Sequence, residues 1–203
     1  MGSWYERFVV PRIIRADMGQ QELEGPRRSL LTGAKGVVLE IGCGPGYNFP
    51  FYGSIERLYA LEPSAELSKD ARERALKVSF PVELINASAE RIPLSDASVD
   101  TAISTWTLCS VNDPRAALAE IHRVLKPHGR LLFFEHGASP HAAVRLFQSF
   151  MTTLTRPLNG NCRYDRSIDA LLQDAGFVLQ NVSHPKEELR PLIYNYRGAA
   201  LRP

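Results

Sequence analysis

Short apolar runs rich in β-branched and aromatic residues recur along the chain, and longer stretches with helical spacing separate them. The runs have the length of strands, and their alternation with helical segments predicts an α/β sheet. Six runs are predicted strands: Val37–Ile41, Leu58–Leu61, Val82–Ile85, Val99–Ser104, Arg130–Phe134 and Phe177–Val182. Leu192–Ala199 is a candidate seventh strand that closes the sheet.

Two helices between these strands are predicted from a period of 3.6 residues. Ala116–Leu125 places its apolar residues on one face, and Lys126–Gly129 is expected to end the helix and turn the chain into the next strand. Ser167–Ala175 follows the same pattern, with Gly176 as its C-terminal stop.

Two amphipathic segments fall outside this alternation, residues 1–30 and residues 140–165. The second carries Phe147, Phe150, Met151 and Leu154 at helical spacing. One interpretation is that both apolar stripes pack into the core, and the other is that both segments fold over the open end of the sheet. We describe residues 1–203 as one domain, with 1–30 as an N-terminal helical cap and 140–165 as a lid-like insertion.

Length and charge narrow the function classes. A chain of 203 residues with a formal net charge of +2 suits one globular domain and gives no support to a nucleic-acid partner. The three cysteines form no CxxC pair, so we expect neither a disulfide framework nor a metal site. We find no apolar run long enough to span a membrane and no signal peptide, so a cytoplasmic protein is expected, with peripheral membrane contact left open.

A glycine cluster directly follows the first strand, with Gly42, Gly44 and Gly46 in a GxGxG pattern. Such glycines let backbone amides approach a ligand at the carboxyl edge of a parallel sheet. The pattern differs from the GxGxxG loop of nicotinamide dehydrogenases, and Glu40 adds a negative charge that suits a cationic ligand such as a sulfonium amino acid. Glu62, which ends the second strand, is placed to accept hydrogen bonds from two ribose hydroxyls.

Five motifs in a fixed order carry a family resemblance: Glu40–Gly46, Glu62-Pro63, Ser88–Leu94, Ser98–Asp100 and Glu120–Gly129. Together they resemble the class I S-adenosylmethionine-dependent methyltransferases, in the methyltransferase type 11 branch, over roughly residues 36 to 182. The resemblance implies S-adenosyl-L-methionine as cofactor and S-adenosyl-L-homocysteine as product. It also implies a Rossmann-like three-layer sandwich of about seven strands, mostly parallel with the last antiparallel, with helices on both faces.

The resemblance also assigns a cofactor site. The residues it implies are Glu40, Gly42, Cys43, Gly44, Gly46, Asn48, Glu62, Pro63, Ser88, Ala89, Glu90, Thr105 and Trp106. The glycine loop is expected at the methionine end, Glu62 at the ribose, and the residues from Ser88 onward beside the adenine. Many members have Asp where Ser88 stands, so the contact to the adenine amino group is expected to be weaker or replaced. For Glu90, a solvated loop acid and a group that orders the adenine pocket remain alternatives.

Further segments are similar to the subgroup that contains alkyl thiol S-methyltransferases, among them Gly46–Phe49, Ser104–Val111 and Phe134–His136. This resemblance implies a small-molecule acceptor, a thiol before the alternatives of a quinone or phenol ring or a phospholipid. A catalytically silent cofactor-binding scaffold is a further alternative. A nucleic-acid base methyltransferase is disfavoured because Thr105–Leu108 stands where such enzymes carry Asn- or Asp-Pro-Pro-aromatic.

Methyl transfer from a sulfonium is an in-line displacement, so alignment of the acceptor supplies much of the catalysis and a strong base is optional. His136, at the end of the fifth strand, is the preferred acid–base residue because imidazole titrates near neutral pH. The other candidates are Tyr5, Asp165 and Tyr164, and Glu135 is less suited if it points into the sheet. Packing is the favoured role for Cys43 and Cys109, and the oligomeric state is left open.

Overall fold

The computed structural model describes residues 4–156, 158–185 and 193–203, and its strands form one seven-stranded sheet. The strands are β1 (Val37–Ile41), β2 (Arg57–Leu61), β3 (Val82–Ile85), β4 (Val99–Thr105), β5 (Leu125–Gly137), β6 (Val178–Ser183) and β7 (Tyr194–Leu201). Their order is β3-β2-β1-β4-β5-β7-β6. Strands β1 to β5 pair in parallel, and β7 runs antiparallel to both of its neighbours. The predicted fold class is confirmed.

Helices lie on both faces of the sheet. They are α1 (Trp4–Phe8), α2 (Val10–Met18), α3 (Glu24–Leu31), α4 (Ala65–Ala75), α5 (Pro114–Val124), α6 (Ala142–Thr155) and α7 (Ile168–Asp174). One buried cluster joins α5 and α7 to the sheet, and a second joins α3 and α4 to it. Strand residues alternate between the clusters, with Leu39 in the first and Val38 in the second, because successive strand side chains point to opposite faces.

The region around α5 differs from its prediction at both ends. The helix starts at Pro114 because the Asp113 carboxylate caps it, accepting from the amides of Arg115 and Ala116 at 3.0 Å. It ends at Val124, and Leu125 already pairs with Val99 of β4. The turn expected at residues 126–129 is therefore an irregular part of β5, where the pairing register with β4 shifts.

The apolar stripe on α6 faces outward. The interpretation that this stripe packs into the core is therefore wrong. Phe150 and Leu154 are 66% and 62% exposed, whereas Gln148 and Thr152 are buried. Hydrogen bonds explain this orientation of the helix. The Gln148 side-chain amide donates to the Gly137 carbonyl at 3.1 Å and accepts from the Ser139 backbone amide at 2.8 Å. These bonds hold the opposite face of the helix against the end of β5.

Parts of residues 1–30 and 140–165 meet at the carboxyl ends of the strands. The Tyr5 hydroxyl donates to the Leu158 carbonyl at 2.9 Å, and α2 contributes Val10 and Ile14 to a wall that residues 152–165 complete. Within the part of the chain that the structure describes, no helix is long and apolar enough to cross a membrane. Of the predicted seventh strand, Leu192 lies outside the described residues, and β7 begins at Tyr194.

Candidate active site

A large cavity opens where β1, β2, β4 and β5 end, and its volume is about 1430 Å³. Typical small-molecule pockets measure roughly 300 to 1,000 Å³, so this cavity has room for a nucleoside cofactor and an acceptor together. Its walls come from the glycine loop, the end of β2, the loop after β4, helices α2 and α3, the end of α6 and residues 159–165.

The glycine loop needs glycine for conformational and steric reasons together. Gly42 has a φ of +58°, and a Cβ there would stand 2.5 Å from the Thr107 hydroxyl. Gly46 has a φ of +79°, and a Cβ there would meet the ring of Phe49 at 2.8 Å. Gly42 lies in the cavity wall, but Gly46 packs over Phe49 behind it. The structure therefore places Gly46 as a turn residue and not as a direct contact.

Glu62 connects the end of β2 to the glycine loop. Its Oε2 accepts from the Gly44 amide and its Oε1 from the Ser64 amide, both at 2.8 Å. Burial raises the pKa of this carboxyl, and the two amide hydrogen bonds oppose the shift. A carboxylate oxygen has two lone pairs, so each oxygen can also accept a ligand hydroxyl from the cavity that Glu62 lines.

Glu40 lies behind the cavity wall, where the sequence had placed it in direct contact with the ligand. Its side chain is buried, with Oε1 accepting from Asn48 Nδ2 at 2.7 Å and Oε2 accepting from the Tyr52 hydroxyl at 2.8 Å. Burial raises the pKa of Glu40 to about 7, although both hydrogen bonds and the nearby Arg27 favour the carboxylate. Glu40 is therefore connected to the cavity wall through Asn48 and does not line the cavity itself.

Asn48 is part of the cavity wall, and its side-chain amide is held in one orientation. Its Nδ2 also donates to Thr105 Oγ1 at 2.9 Å, which fixes the orientation of the amide. The opposite atom, Oδ1, is buried and has no hydrogen-bond partner within residues 4–156, 158–185 and 193–203. A buried acceptor of this kind is costly unless a ligand donor satisfies it.

Arg27 is the functional candidate that the sequence analysis missed. This α3 residue is only 2% exposed and lines the cavity, with its guanidinium carbon 5.3 Å from the ring centre of Trp106. Its Nε and Nη2 are buried with no acceptor in the described part of the chain. Burial lowers the pKa of Arg27, and the charge of Glu40 opposes that shift. The sequence carries no signal for this role, since it shows only one arginine among several in an amphipathic segment.

Ser88, Ala89 and Glu90 form the far end of the cavity. Glu90 Oε1 accepts from the amides of Asn112 at 3.0 Å and Asp113 at 3.3 Å, and its Oε2 contacts the Ser88 hydroxyl. Glu90 thereby connects the loop after β3 to the start of α5. Of the two alternatives for this residue, the geometry favours the ordering of the pocket.

His136 and Asp165 both line the cavity, as predicted for catalytic candidates. His136 Nδ1 lies 3.3 Å from Cys162 Sγ, and its ring centre is 5.4 Å from that of Tyr164. Asp165 is paired with Arg163, whose Nε is 3.5 Å from Oδ1. Tyr5 is in a different place: its hydroxyl is bonded to the Leu158 carbonyl and lies outside the cavity wall, so it is not positioned for catalysis.

Glu135 points into the sheet, which was the condition for discounting it as a base. It is fully buried and accepts hydrogen bonds from the Ser104 hydroxyl and from three successive amides, those of Thr107, Leu108 and Cys109. Burial raises the pKa of Glu135, and these four donors oppose the shift. Glu135 therefore fixes the shape of the loop after β4.

Two cysteines that are 53 residues apart in the chain meet at the wall of the cavity. Cys109 Sγ lies 3.4 Å from Cys162 Sγ, and His136 completes a group whose donor atoms all lie within 4.8 Å of one another. The hydrogen bond with the neighbouring Cys162, together with burial, raises the pKa of the Cys109 thiol well above its usual range. The cysteines are far apart in the sequence and form no CxxC pair, which is why no metal site was expected. In the folded chain, however, Cys109 and Cys162 lie next to each other.

Comparison with known proteins decides the family. A family model described as a methyltransferase domain matches residues 39–133. Human thiol S-methyltransferase TMT1A is 32% identical over 187 residues, which cover 87% of this chain and 73% of that protein. The chain belongs to the class I S-adenosylmethionine-dependent methyltransferases. Its cofactor is S-adenosyl-L-methionine, and the motif-based assignment of both family and cofactor is confirmed.

Two more proteins similar to this methyltransferase differ in their acceptors. The ubiquinone/menaquinone biosynthesis C-methyltransferase UbiE of Rubrivivax gelatinosus is 41% identical over 133 residues, 65% of this chain and 45% of that protein. The structure of geranyl diphosphate methyltransferase in complex with GPP and sinefungin matches with a TM-score of 0.71 at 16% identity, covering 90% of this chain and 79% of that chain. The second likeness concerns the fold alone.

All the predicted cofactor residues except Glu40 and Gly46 line the cavity of this methyltransferase. The motif positions therefore converge in space, although they are spread over residues 40 to 106. The wall also contains two groups outside the motifs, Arg27 and the Cys162–Asp165 segment.

Proposed function

We propose that this methyltransferase transfers the methyl group of S-adenosylmethionine to the sulfur of a small, largely apolar thiol. The observation that carries the proposal is that the cavity lined by His136 also has Val10, Ile13, Trp106 and Phe134 in its wall, with the ring centre of Trp106 6.1 Å from that of His136. Apolar and aromatic side chains in a pocket wall suit an uncharged organic acceptor. The 32% identity to a human thiol S-methyltransferase supports sulfur as the receiving atom.

We infer that each polar group of the wall binds a different part of the cofactor. Glu62 accepts from the two ribose hydroxyls, while the unpartnered nitrogens of Arg27 suit the methionine carboxylate. Asn48 Oδ1 suits the methionine ammonium, with the carboxylate of Glu40 behind it. Each assignment satisfies a buried group that otherwise lacks a partner or holds a raised pKa. Ser88 and Glu90 complete the adenine end.

Bound S-adenosylmethionine supplies an electrophilic methyl group on a positively charged sulfur. The protein's part is to hold the acceptor sulfur in line with that methyl group and to exclude water. A thiol becomes a strong nucleophile on losing its proton. His136 lies beside the acceptor volume and can receive this proton, and Asp165, paired with Arg163, is less available.

The helical cap and the lid-like insertion belong to the same proposal. Val10 and Ile14 of α2 face Gly160 in the late loop, and all three line the cavity. These segments close the side of the cavity that the sheet leaves open. Acceptor specificity is therefore expected to depend on residues 1–30 and 140–165.

A quinone or quinol ring is the second candidate acceptor. It is favoured by the 41% identity to a ubiquinone/menaquinone C-methyltransferase, and the rings of Trp106 and Phe134, with centres 4.5 Å apart, offer an aromatic surface. Carbon methylation of a quinol ring requires a base to remove the ring proton, whereas a thiolate requires none after ionisation.

The test combines cofactor binding with an acceptor panel. Calorimetry with S-adenosylhomocysteine is expected to show binding to the wild type, loss of binding in Glu62→Ala, and unchanged binding in Glu83→Ala, a control at an exposed position of β3. Labelled S-adenosylmethionine is then incubated with thiols, quinols, amines and phospholipids. Label on thiols supports the proposal, label on quinols alone replaces it with the second candidate, and binding without any turnover indicates a silent scaffold.

A further inference from the structure

The cluster of Cys109, His136 and Cys162 has the donor atoms and the spacing of a metal site. The two sulfurs are 3.4 Å apart, and His136 Nδ1 is 3.3 Å from Cys162 Sγ. In tetrahedral zinc sites the metal lies about 2.3 Å from sulfur and about 2.0 Å from imidazole nitrogen, which puts the ligands roughly 3.5 to 3.8 Å apart. A shift of a few tenths of an ångström therefore brings both of these distances to the spacing of bound Zn²⁺, and all three donor atoms already lie within 4.8 Å of one another.

The three donors come from separate elements that hydrogen bonds hold together. Cys109 follows β4, His136 is near the end of β5, and Cys162 lies in the loop after α6. The Cys109 amide donates to Glu135 Oε2 at 3.1 Å, and its carbonyl accepts from the Arg163 amide at 2.9 Å. The backbone thus fixes the cysteines relative to each other, which reduces the ordering that metal binding requires.

One side of the cluster faces the cavity in which we propose that the acceptor binds. Cys109 is fully buried behind the wall, whereas His136 and Cys162 are part of the wall. A metal held by all three would keep its fourth position toward the cavity. Three protein ligands with one open position are typical of catalytic zinc sites, and two cysteines with one histidine are a known ligand set for them. Structural zinc sites use four protein ligands instead.

We propose that Cys109, His136 and Cys162 bind one Zn²⁺ ion whose open position receives the sulfur of the acceptor. The metal site stands on the cluster itself, and only the role of the fourth position rests on the proposed function. Two thiolates balance the charge of the ion. In the zinc-loaded protein His136 is a ligand through Nδ1, and the metal takes over the task of generating the thiolate.

The reaction balances without a further reactant. The acceptor thiol binds zinc as a thiolate and releases its proton to solvent, displacing a water molecule. The thiolate sulfur forms a bond to the methyl carbon, and the bond from that carbon to the cofactor sulfur breaks. The electron pair of the broken bond stays on the cofactor sulfur, which becomes neutral. The methyl thioether, a weaker zinc ligand than a thiolate, then leaves.

The test titrates metal into the full-length, metal-free protein under anaerobic, reducing conditions. Zinc is expected to bind at one equivalent, and Co²⁺ in its place is expected to show a thiolate-to-cobalt charge-transfer band. Cys162→Ser is expected to weaken binding more than about 100-fold, because even the loss of outer-shell partners costs 10- to 100-fold. His136→Asn is a second variant for the same readout, and His141→Asn, which alters an exposed histidine outside both the cluster and the cavity wall, is the matched control for metal binding.

Retained S-adenosylhomocysteine binding shows that each variant is folded. The metal site is refuted if the wild type binds no stoichiometric metal, if Cys162→Ser binds it as well as the wild type, or if Cys109 and Cys162 form a disulfide that persists under reduction. A thiol that alters the cobalt spectrum supports its place at the fourth position, and an unaltered spectrum refutes that place. Metal binding without thiol methylation overturns the proposed acceptor while the metal site stands.

Discussion

Replacing Glu40 with glutamine is expected to change how the stability of the protein depends on pH. Glu40 is a fully buried carboxyl whose pKa is raised from 4.5 to about 7, chiefly by burial. Between these values the folded protein holds a proton that the unfolded chain has lost. The contribution of Glu40 to the free energy of unfolding therefore falls as pH rises from about 4.5 to about 7, and it is constant above that range.

The magnitude follows from the shift. One pKa unit corresponds to about 1.4 kcal/mol, so ionising Glu40 in the folded state costs roughly 3 kcal/mol. Glutamine stays neutral and retains an oxygen that can accept from Asn48 or Tyr52. Relative to the wild type, Glu40→Gln is therefore expected to gain roughly 3 kcal/mol of unfolding free energy between pH 4.5 and pH 8.

Urea unfolding of the wild type and the variant at several pH values measures this difference directly. The contributions of titrating groups that do not interact with Glu40 cancel when the two curves are subtracted. Glu83→Gln, at an exposed position of β3, is the control for loss of a carboxylate outside the buried network. A wild-type-to-variant difference that stays constant across this range, or that moves against the variant as pH rises, refutes the reasoning.

Three more predictions concern the cofactor site. The positive sulfonium and ammonium groups of bound S-adenosylmethionine favour the Glu40 carboxylate, so cofactor binding near pH 7 should release a proton. Calorimetry in buffers of different ionisation enthalpy measures this proton release, and Glu40→Gln should abolish it. Arg27→Met should weaken S-adenosylhomocysteine binding by about 1.5 to 3 kcal/mol without lowering the melting temperature, and unchanged affinity would exclude Arg27 as the carboxylate partner. Gly42→Ala should lower the free energy of unfolding by roughly 1 to 3 kcal/mol and abolish cofactor binding, because the added Cβ meets Thr107 at 2.5 Å. Gly53→Ala, with open space around the added Cβ, is the control, and equal losses in the two variants would contradict the steric argument.

The strands and the cofactor loop could be predicted because both are encoded locally. The β1 strand was predicted with its observed bounds, Val37–Ile41, since a buried strand is a continuous apolar run and the glycines mark its end. The boundaries of α5 and β5 were less accurate. The Lys126–Gly129 segment has the composition of a turn, but pairing with β4 and β7 keeps its surroundings in one strand.

Side-chain direction could not be predicted from the pattern of residues. The α6 stripe looks like a core face, yet the bonds of Gln148 to Gly137 and Ser139 turn it outward. Glu40 has the motif position of a ligand contact, yet Asn48 and Tyr52 hold it behind the wall. In both cases hydrogen bonds to distant residues outweigh the local preference.

The sequence by itself determined the α/β class, the methyltransferase family and the cofactor, and most of the residues it assigned to the cofactor line the cavity. These features depend on residue types at fixed short spacings, which a linear pattern records. Only the tertiary structure decided that Arg27 is buried beside Trp106 with no acceptor for its Nε and Nη2 among the described residues, and that Cys109 and Cys162 meet beside His136. Such groups are brought together by packing across 26 to 53 residues of chain, and no local spacing encodes that approach.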